Sequence, residues 1–302
     1  MDQPRRPRFR RIRALREAAR NGSADGPRRR GIYILPNAFT TAALFCGFYA
    51  VVQSMNGRFE HAAVAIFIAM VLDSLDGRVA RLTNTQSAFG EQFDSLSDMV
   101  SFGAAPALVM YEWTLRGLGK WGWLAAFVYC AGAALRLARF NANISVVDKR
   151  YFQGLPSPAA AALVAGLVWV ITDLRETKWI TASPTDLAWV AWALTLYAGI
   201  TMVSSAPFYS FKDINLKKSV PFFAVLAMVM LFVLVSSDPP MVLFSLFVVY
   251  GVSGYVIWLW RWKHGRPLPW KEAAEREAAE FPGKALSSKP VNPRGRGPGS
   301  PK

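Results

Sequence analysis

AAVAIFIAMVLDSLDGRVARLTNTQSAFGEQFDSLSD, from Ala62 to Asp98, decides how this chain reads. It opens as an apolar stretch of the kind that crosses a bilayer and carries the four aspartates Asp73, Asp76, Asp94 and Asp98. A carboxylate inside a membrane segment costs a few kcal/mol at least on insertion scales, so four together need a purpose. Asp73 and Asp76 are three residues apart and Asp94 and Asp98 four apart, so each pair shares one helix face. The polar run ARLTNTQSAFGEQF between the pairs predicts a short turn near the membrane surface. The result is a helical hairpin that brings the two pairs together. Bare carboxylates at close quarters repel, and divalent cations resolve the repulsion. Oxygen-only ligands favour Mg²⁺, Mn²⁺ or Ca²⁺ over zinc, and two such ions about 4 Å apart clamp a phosphoryl centre. Gly77 and Gly90 thin the helices where a ligand must approach. Arg81, at the same mouth, is placed to pair with phosphate oxygens. A plainer reading has Asp76 pairing with Arg81, and Asp94 and Asp98 capping a helix; the joint occurrence at matched spacing argues against it.

The rest of the chain supplies a membrane context. At 53% hydrophobic over 302 residues, with 11 Trp, it carries more long apolar runs than a water-soluble domain tolerates. A span takes about 20 mostly apolar residues, and eight stretches qualify: roughly 33–54, 60–82, 96–115, 121–142, 157–173, 186–205, 218–236 and 240–260. In lipid the backbone must satisfy its own hydrogen bonds, so all are expected to be helices. The fold class is therefore all-α, a polytopic membrane bundle of about eight helices. The first apolar run begins only near residue 31, behind an Arg-rich tail, and no cleavable signal peptide is evident.

Charge orients the bundle. Residues 1–30 hold eleven Arg against three acidic residues, net +8, and residues 261–302 net +6, together nearly all of the +15. Positive flanks stay cytoplasmic, which puts both termini inside and requires an even number of spans. Lys149, Arg150, Lys212, Lys217 and Lys218 fall in predicted inside loops, while Arg116, Lys120, Arg175 and Lys178 fall in outside ones and blur the contrast. Three domains follow: a basic tail at 1–30, a membrane catalytic domain at 31–260 and a basic, largely disordered tail at 261–302. FRRIRALREAAR, from Phe9 to Arg20, has the makings of a basic amphipathic helix that rests on anionic membrane lipids. No motif supports nucleic-acid binding. Cys46 and Cys130 lie in apolar spans without CxxC spacing and read as small buried hydrophobes.

The pattern D-x2-D-G-x2-A-R-x8-G-x3-D-x3-D, met at Asp73, Asp76, Gly77, Ala80, Arg81, Gly90, Asp94 and Asp98, resembles the signature of the CDP-alcohol phosphotransferases. The resemblance implies a six-helix core. It implies that Asp73, Asp76, Asp94 and Asp98 hold two divalent cations, Mg²⁺ or Mn²⁺, and that Asp98 is also the general base toward the incoming alcohol. It further implies that Asn37 and Thr40 (in LPNAFT, with Pro36), Gly77, Arg81 and Ser87 contact a CDP-linked lipid.

Four further stretches narrow the resemblance: LPNAFTTAALFCGFYA, ALRLARFN, FQGLPSPAAA and PFYSFKD. They are similar to the integral-membrane bacterial CDP-diacylglycerol–serine O-phosphatidyltransferases, over roughly residues 31–215. What this implies is transfer of a phosphatidyl group from CDP-diacylglycerol to L-serine, a homodimer, and a multi-pass location in the cytoplasmic (inner) membrane with the active site facing the cytoplasm. A zwitterionic acceptor needs a cation and polar partners. Arg136, Arg139, Asn141, Gln153, Ser157 and Lys212 all fall on the predicted cytoplasmic side and are candidates for serine or phosphate binding. Arg136 and Arg139 also read as side chains snorkelling to lipid phosphates. The remaining rivals are another acceptor (glycerol phosphate, inositol phosphate, choline or a second lipid), a transporter and an inactive scaffold. No inverted repeat supports transport, and the intact motif argues against a scaffold.

Overall fold

A computed structural model describes residues 34–83, 85, 87–142, 151–179, 183–210, 222–265 and 267. The N-terminal tail with its expected amphipathic helix, nearly all of the C-terminal tail, and Lys212 lie outside the described residues. Every predicted apolar stretch is helical: α1 (Ile34–Met55), α2 (Phe59–Leu82), α3 (Ala88–Asp98) running through a π-helical stretch (Met99–Ala104) into α4 (Ala105–Trp113), α5 (Lys120–Ala142), α6 (Ser157–Glu176), α7 (Ala188–Val203), α8 (Phe222–Ser237) and α9 (Pro239–Lys263). Among the described residues four helices, α1, α5, α6 and α9, are long and apolar enough to cross a membrane, and α7 and α8 are shorter apolar helices. α2 is as long but carries Glu60, Asp73, Asp76, Arg78 and Arg81.

Two boundaries differ from expectation for local reasons. The third stretch begins at Ala88, eight residues earlier than the hydropathy suggests. Ser87 is its N-cap, with the Ser87 side chain accepting from the Gly90 N–H at 3.0 Å, and this end-stabilisation starts the helix within polar sequence. The bundle is also not purely helical. β1 (Tyr151–Gln153) pairs antiparallel with β2 (Pro207–Tyr209), setting Tyr151 opposite Tyr209 and Phe152 opposite Phe208. Gly154, at φ +78°, turns the chain out of β1, and its N–H donates to the Ala206 carbonyl at 2.9 Å.

α6 is the centre of the bundle. Every residue from Ala159 to Val168 is buried, and the helix packs against α2, α4, α7 and α9. Without a water-driven hydrophobic term between helices in lipid, close packing of small residues holds them together. α1 and α2 pack on each other and carry buried alanines, Ala43 and Ala50 on α1 and Ala62, Ala65 and Ala69 on α2. α5 and α7 go further: a Cβ on Gly132 would sit 2.4 Å from the Gly199 carbonyl oxygen, so these backbones touch. The outer surface is apolar, with Phe45, Phe48 and Phe127 exposed and an exposed α8 from Val225 to Leu234, as suits a chain whose solvent is lipid.

The π-helical stretch has a visible cause and use. Pro106 has no N–H to give to the Phe102 carbonyl one turn back, and the Tyr129 hydroxyl on α5 donates to that oxygen instead, at 3.0 Å. Ser101 donates to the Ala43 carbonyl of α1 at 3.1 Å, with Gly47 leaving the room: a Cβ there would meet Ser101 Oγ at 2.6 Å. The stretch thus locks the end of α3 to both α1 and α5.

Gly132→Val drives a branched side chain into the α7 backbone, and overpacking of this kind costs about 1–3 kcal/mol. The variant is expected to melt at a lower temperature in detergent. Gly117→Ala, where an added Cβ meets nothing within 4 Å, is expected to melt like the parent, and equal melting of both variants would refute the close-contact account of α5 and α7.

Candidate metal centre

The hairpin of α2 and α3 packs against the start of α1 and encloses a cavity of about 610 Å³. Asn37 and Thr40 from α1, Gly77 and Arg81 from α2, and Ser87 before α3 all line it, together with Asp76 and Asp94. One carboxylate oxygen from each of Asp73, Asp76 and Asp94 lies within 4.8 Å of the others. Asp73 lies one turn before Asp76 on α2, and Asp98 one turn after Asp94 on α3. The Asp98 carboxyl comes within hydrogen-bonding reach of that of Asp73.

The side chains are held by neighbours on other helices. Thr40 Oγ1 donates to Asp76 Oδ2 at 2.8 Å, which fixes the one fully buried aspartate of the four. Ser97 donates to the Thr40 carbonyl at 3.1 Å and so ties α3 to the same turn of α1. Asn141, at the end of α5, donates to Ser95 at 3.2 Å. The plainer reading of the aspartates is thereby corrected: Asp76 is engaged by Thr40, and the cap of α3 is Ser87, with Asp94 and Asp98 in its last two turns.

Two observations test whether the cluster suits a cation. Asp94 Oδ1 is buried and has no hydrogen-bond partner among the described residues, which leaves an acceptor for a cation. The donor set is oxygen throughout, the chemistry of hard divalent cations. Gly77 adds room: a Cβ there would meet nothing within 4 Å, so the α2 backbone is bare toward its surroundings where it borders the cavity.

The acceptor-side candidates are spread over more elements. Arg136 and Arg139 lie one turn apart near the end of α5, Gln153 in β1, and Ser157 is the first residue of α6. Arg136 Nη1 donates to Ser157 Oγ at 2.8 Å. Arg139 is half-buried, and Gln153 faces Pro207 across the strand pair. Thr85 and Glu91 also line the cavity and were not expected there. Glu91 precedes Asp94 by three residues, so helical spacing alone would have placed it on the same face; Thr85, in the turn, carries no such signal.

A helical bundle with segments of membrane-spanning length, in which aspartates of two helices bring carboxylate oxygens within 4.8 Å of one another beside a cavity, fits the class of phosphoryl-transfer membrane proteins. The chain belongs to the CDP-alcohol phosphatidyltransferase family, whose sequence profile matches residues 33–197. It is similar to the CDP-diacylglycerol–serine O-phosphatidyltransferase of Helicobacter pylori (strain J99), 34% identical over 228 residues that cover 74% of this chain and 92% of that protein. The protein of the same name from Mycobacterium bovis is 34% identical over 60% of this chain and 65% of its own length. That from Methanocaldococcus jannaschii is 43% identical over 36% of this chain and 50% of its own.

Thr40→Val removes the hydrogen bond to Asp76 at nearly constant volume. Partners of metal ligands are typically worth about 10–100-fold in metal affinity. The half-saturating divalent cation concentration for activity is expected to rise by about tenfold or more, and an unchanged metal titration would remove Thr40 from this role.

Proposed function

We propose that this chain transfers the phosphatidyl group of CDP-diacylglycerol to the hydroxyl of L-serine, giving phosphatidylserine and CMP. The observation that carries the chemistry is the buried Asp94 oxygen, without a partner among the described residues, in the cluster it forms with Asp73 and Asp76 beside the cavity. Serine as acceptor is supported by the names of the similar proteins. Asp73, Asp76, Asp94 and Asp98 would hold two divalent cations, Mg²⁺ or Mn²⁺, which would supply positive charge for the phosphates.

The chain's own residues do the rest. Asn37, Thr40, Gly77, Arg81 and Ser87 seat the CDP-lipid in the cavity, with Arg81 toward its phosphates. Asp98 is the catalytic base. It takes the proton from the serine hydroxyl as that oxygen attacks the phosphorus bearing the diacylglycerol. The new O–P bond forms, the P–O bond to CMP breaks, and CMP leaves with the electron pair. Most of the acceleration comes from positioning and electrostatics, as elsewhere in phosphoryl transfer.

The surrounding assignments belong to the same reading. All eight helical segments cross the membrane, with a six-helix core extended by the last two, and residues 31–260 form the catalytic domain between two basic tails. The charge of the tails supports cytoplasmic termini and a cytoplasmic active site. The resemblance to bacterial enzymes supports a homodimer in the inner membrane.

Purified protein in detergent, given CDP-diacylglycerol and Mg²⁺ or Mn²⁺, is expected to release CMP with serine and not with glycerol phosphate, inositol phosphate or choline. Release with none of these would sink the enzyme reading, and preference for another alcohol would sink serine alone. Asp98→Asn is expected to keep CDP-lipid and metal binding while losing about 10²–10⁴-fold in turnover, the usual contribution of a general base; near-parental turnover would exclude it from that role.

A further inference from the structure

The turn between α2 and α3 holds a hydroxyl whose hydrogen can be placed. Thr85 is buried, lines the cavity and belongs to neither helix. Its backbone N–H donates to the Ala80 carbonyl at 3.0 Å, which fixes it just beyond the last turn of α2. Its Oγ1 lies 2.7 Å from Thr83 Oγ1, and Thr83 Oγ1 lies 2.7 Å from the Val79 carbonyl oxygen. Two oxygens at that distance need a hydrogen between them. The carbonyl has none, so the single hydroxyl hydrogen of Thr83 points at Val79. The hydrogen between the two hydroxyls is then that of Thr85. Thr85 is left with only lone pairs for a ligand in the cavity.

Ser87 is set the other way. Its Oγ accepts from the Gly90 N–H at 3.0 Å and keeps its own hydrogen to give. It lines the same cavity. The turn therefore offers the cavity one acceptor and one donor, two residues apart.

The cavity has its aspartates at Asp76 and Asp94, where the phosphates of a CDP-lipid would lie, and reaches from there to Thr85 and Ser87. Six residues of α2, about 9 Å of helix axis, separate Asp76 from Leu82, the last residue before the turn. The turn thus stands at the nucleoside end of the cavity. Cytosine carries an amine donor beside a ring-nitrogen acceptor. Uracil carries the reverse, a carbonyl acceptor beside a ring N–H donor. A Thr85 that only accepts and a Ser87 that donates match the first order and oppose the second.

Resting on the reading of the chain as an enzyme that takes CDP-diacylglycerol, we propose that Thr85 is a specificity-determining residue: it accepts a hydrogen bond from the exocyclic amine of the nucleobase and opposes the carbonyl that uracil carries there. Thr83 is its positioning residue, because the contact with Thr83 is what leaves Thr85 no hydrogen to give. Thr83 itself is exposed and is not among the residues that line the cavity.

The test follows nucleoside monophosphate release by the full-length protein with serine, from CDP-diacylglycerol, UDP-diacylglycerol and 2′-deoxy-CDP-diacylglycerol. The parent is expected to prefer the cytidine lipid to the uridine lipid in kcat/KM. Thr85→Val keeps the shape and removes the hydroxyl. Its preference is expected to fall by about tenfold, through a loss with the cytidine lipid that the uridine lipid does not share, and Thr85→Ser is expected to restore it. Thr83→Val frees the Thr85 hydrogen to turn toward a uracil carbonyl. Its preference is expected to fall by about tenfold through a gain with the uridine lipid, with KM for serine unchanged. A merely structural role for either threonine would slow both lipids alike. That result, a parent without base preference, or a Thr85→Val variant that loses only a preference for ribose over deoxyribose would each overturn the proposal, the last by placing Thr85 on the sugar. Failure of the parent to release CMP from CDP-diacylglycerol with any alcohol would instead overturn the functional reading, so the two failures are told apart.

Discussion

Like charge held at close quarters is the constraint on which the rest of this structure depends. Three carboxylate oxygens within 4.8 Å, with a fourth aspartate against them, repel unless a cation or protons intervene. In a membrane bundle the side chains cannot relax into water, so the scaffold must hold them. The holding is done from α1: alanines let its backbone approach α2, and that approach is what brings Thr40 to Asp76 at 2.8 Å. Ser97 and Ser101 then bind α3 and the π-helical stretch to α1 carbonyls at 3.1 Å each. A bulky residue at Gly47 would separate these elements and with them the ligand oxygens, so the packing and the site are one piece of design.

How much of this was legible in the sequence depended on the range of the information. Asp73 with Asp76, and Asp94 with Asp98, were placed on common faces because helical spacing is local. The apolar stretches became helices because lipid permits little else. The turn between the pairs was read as longer than it is, because hydropathy registers polarity and not the cap that Ser87 provides. The strand pair was not foreseen: three residues hold no period, and Tyr151 and Tyr209 are joined only by the fold.

The acceptor side shows the same limit more sharply. Arg136 was visible as a costly charge near the end of an apolar span, and both snorkelling and ligand binding were open to it. The contact that bears on this comes from another element: Ser157, at the start of α6, accepts from Arg136 Nη1 at 2.8 Å. No spacing rule links positions that far apart. A guanidinium with one corner on Ser157 and a buried Nε faces inward, which is not the posture of a side chain reaching for lipid phosphates.

The two halves of the centre therefore differ in how they are encoded. The residues that line the cavity come almost wholly from one contiguous hairpin and the helix before it, so they keep a short, recognisable pattern. The candidates proposed for the acceptor lie at the ends of helices and in a strand pair, one or two on each. Exchanging the acceptor needs only a change in that assembly, because the oxygen that attacks and the base that deprotonates it are common to every alcohol. A family that shares its chemistry and varies its acceptor is what such a division of the structure would produce.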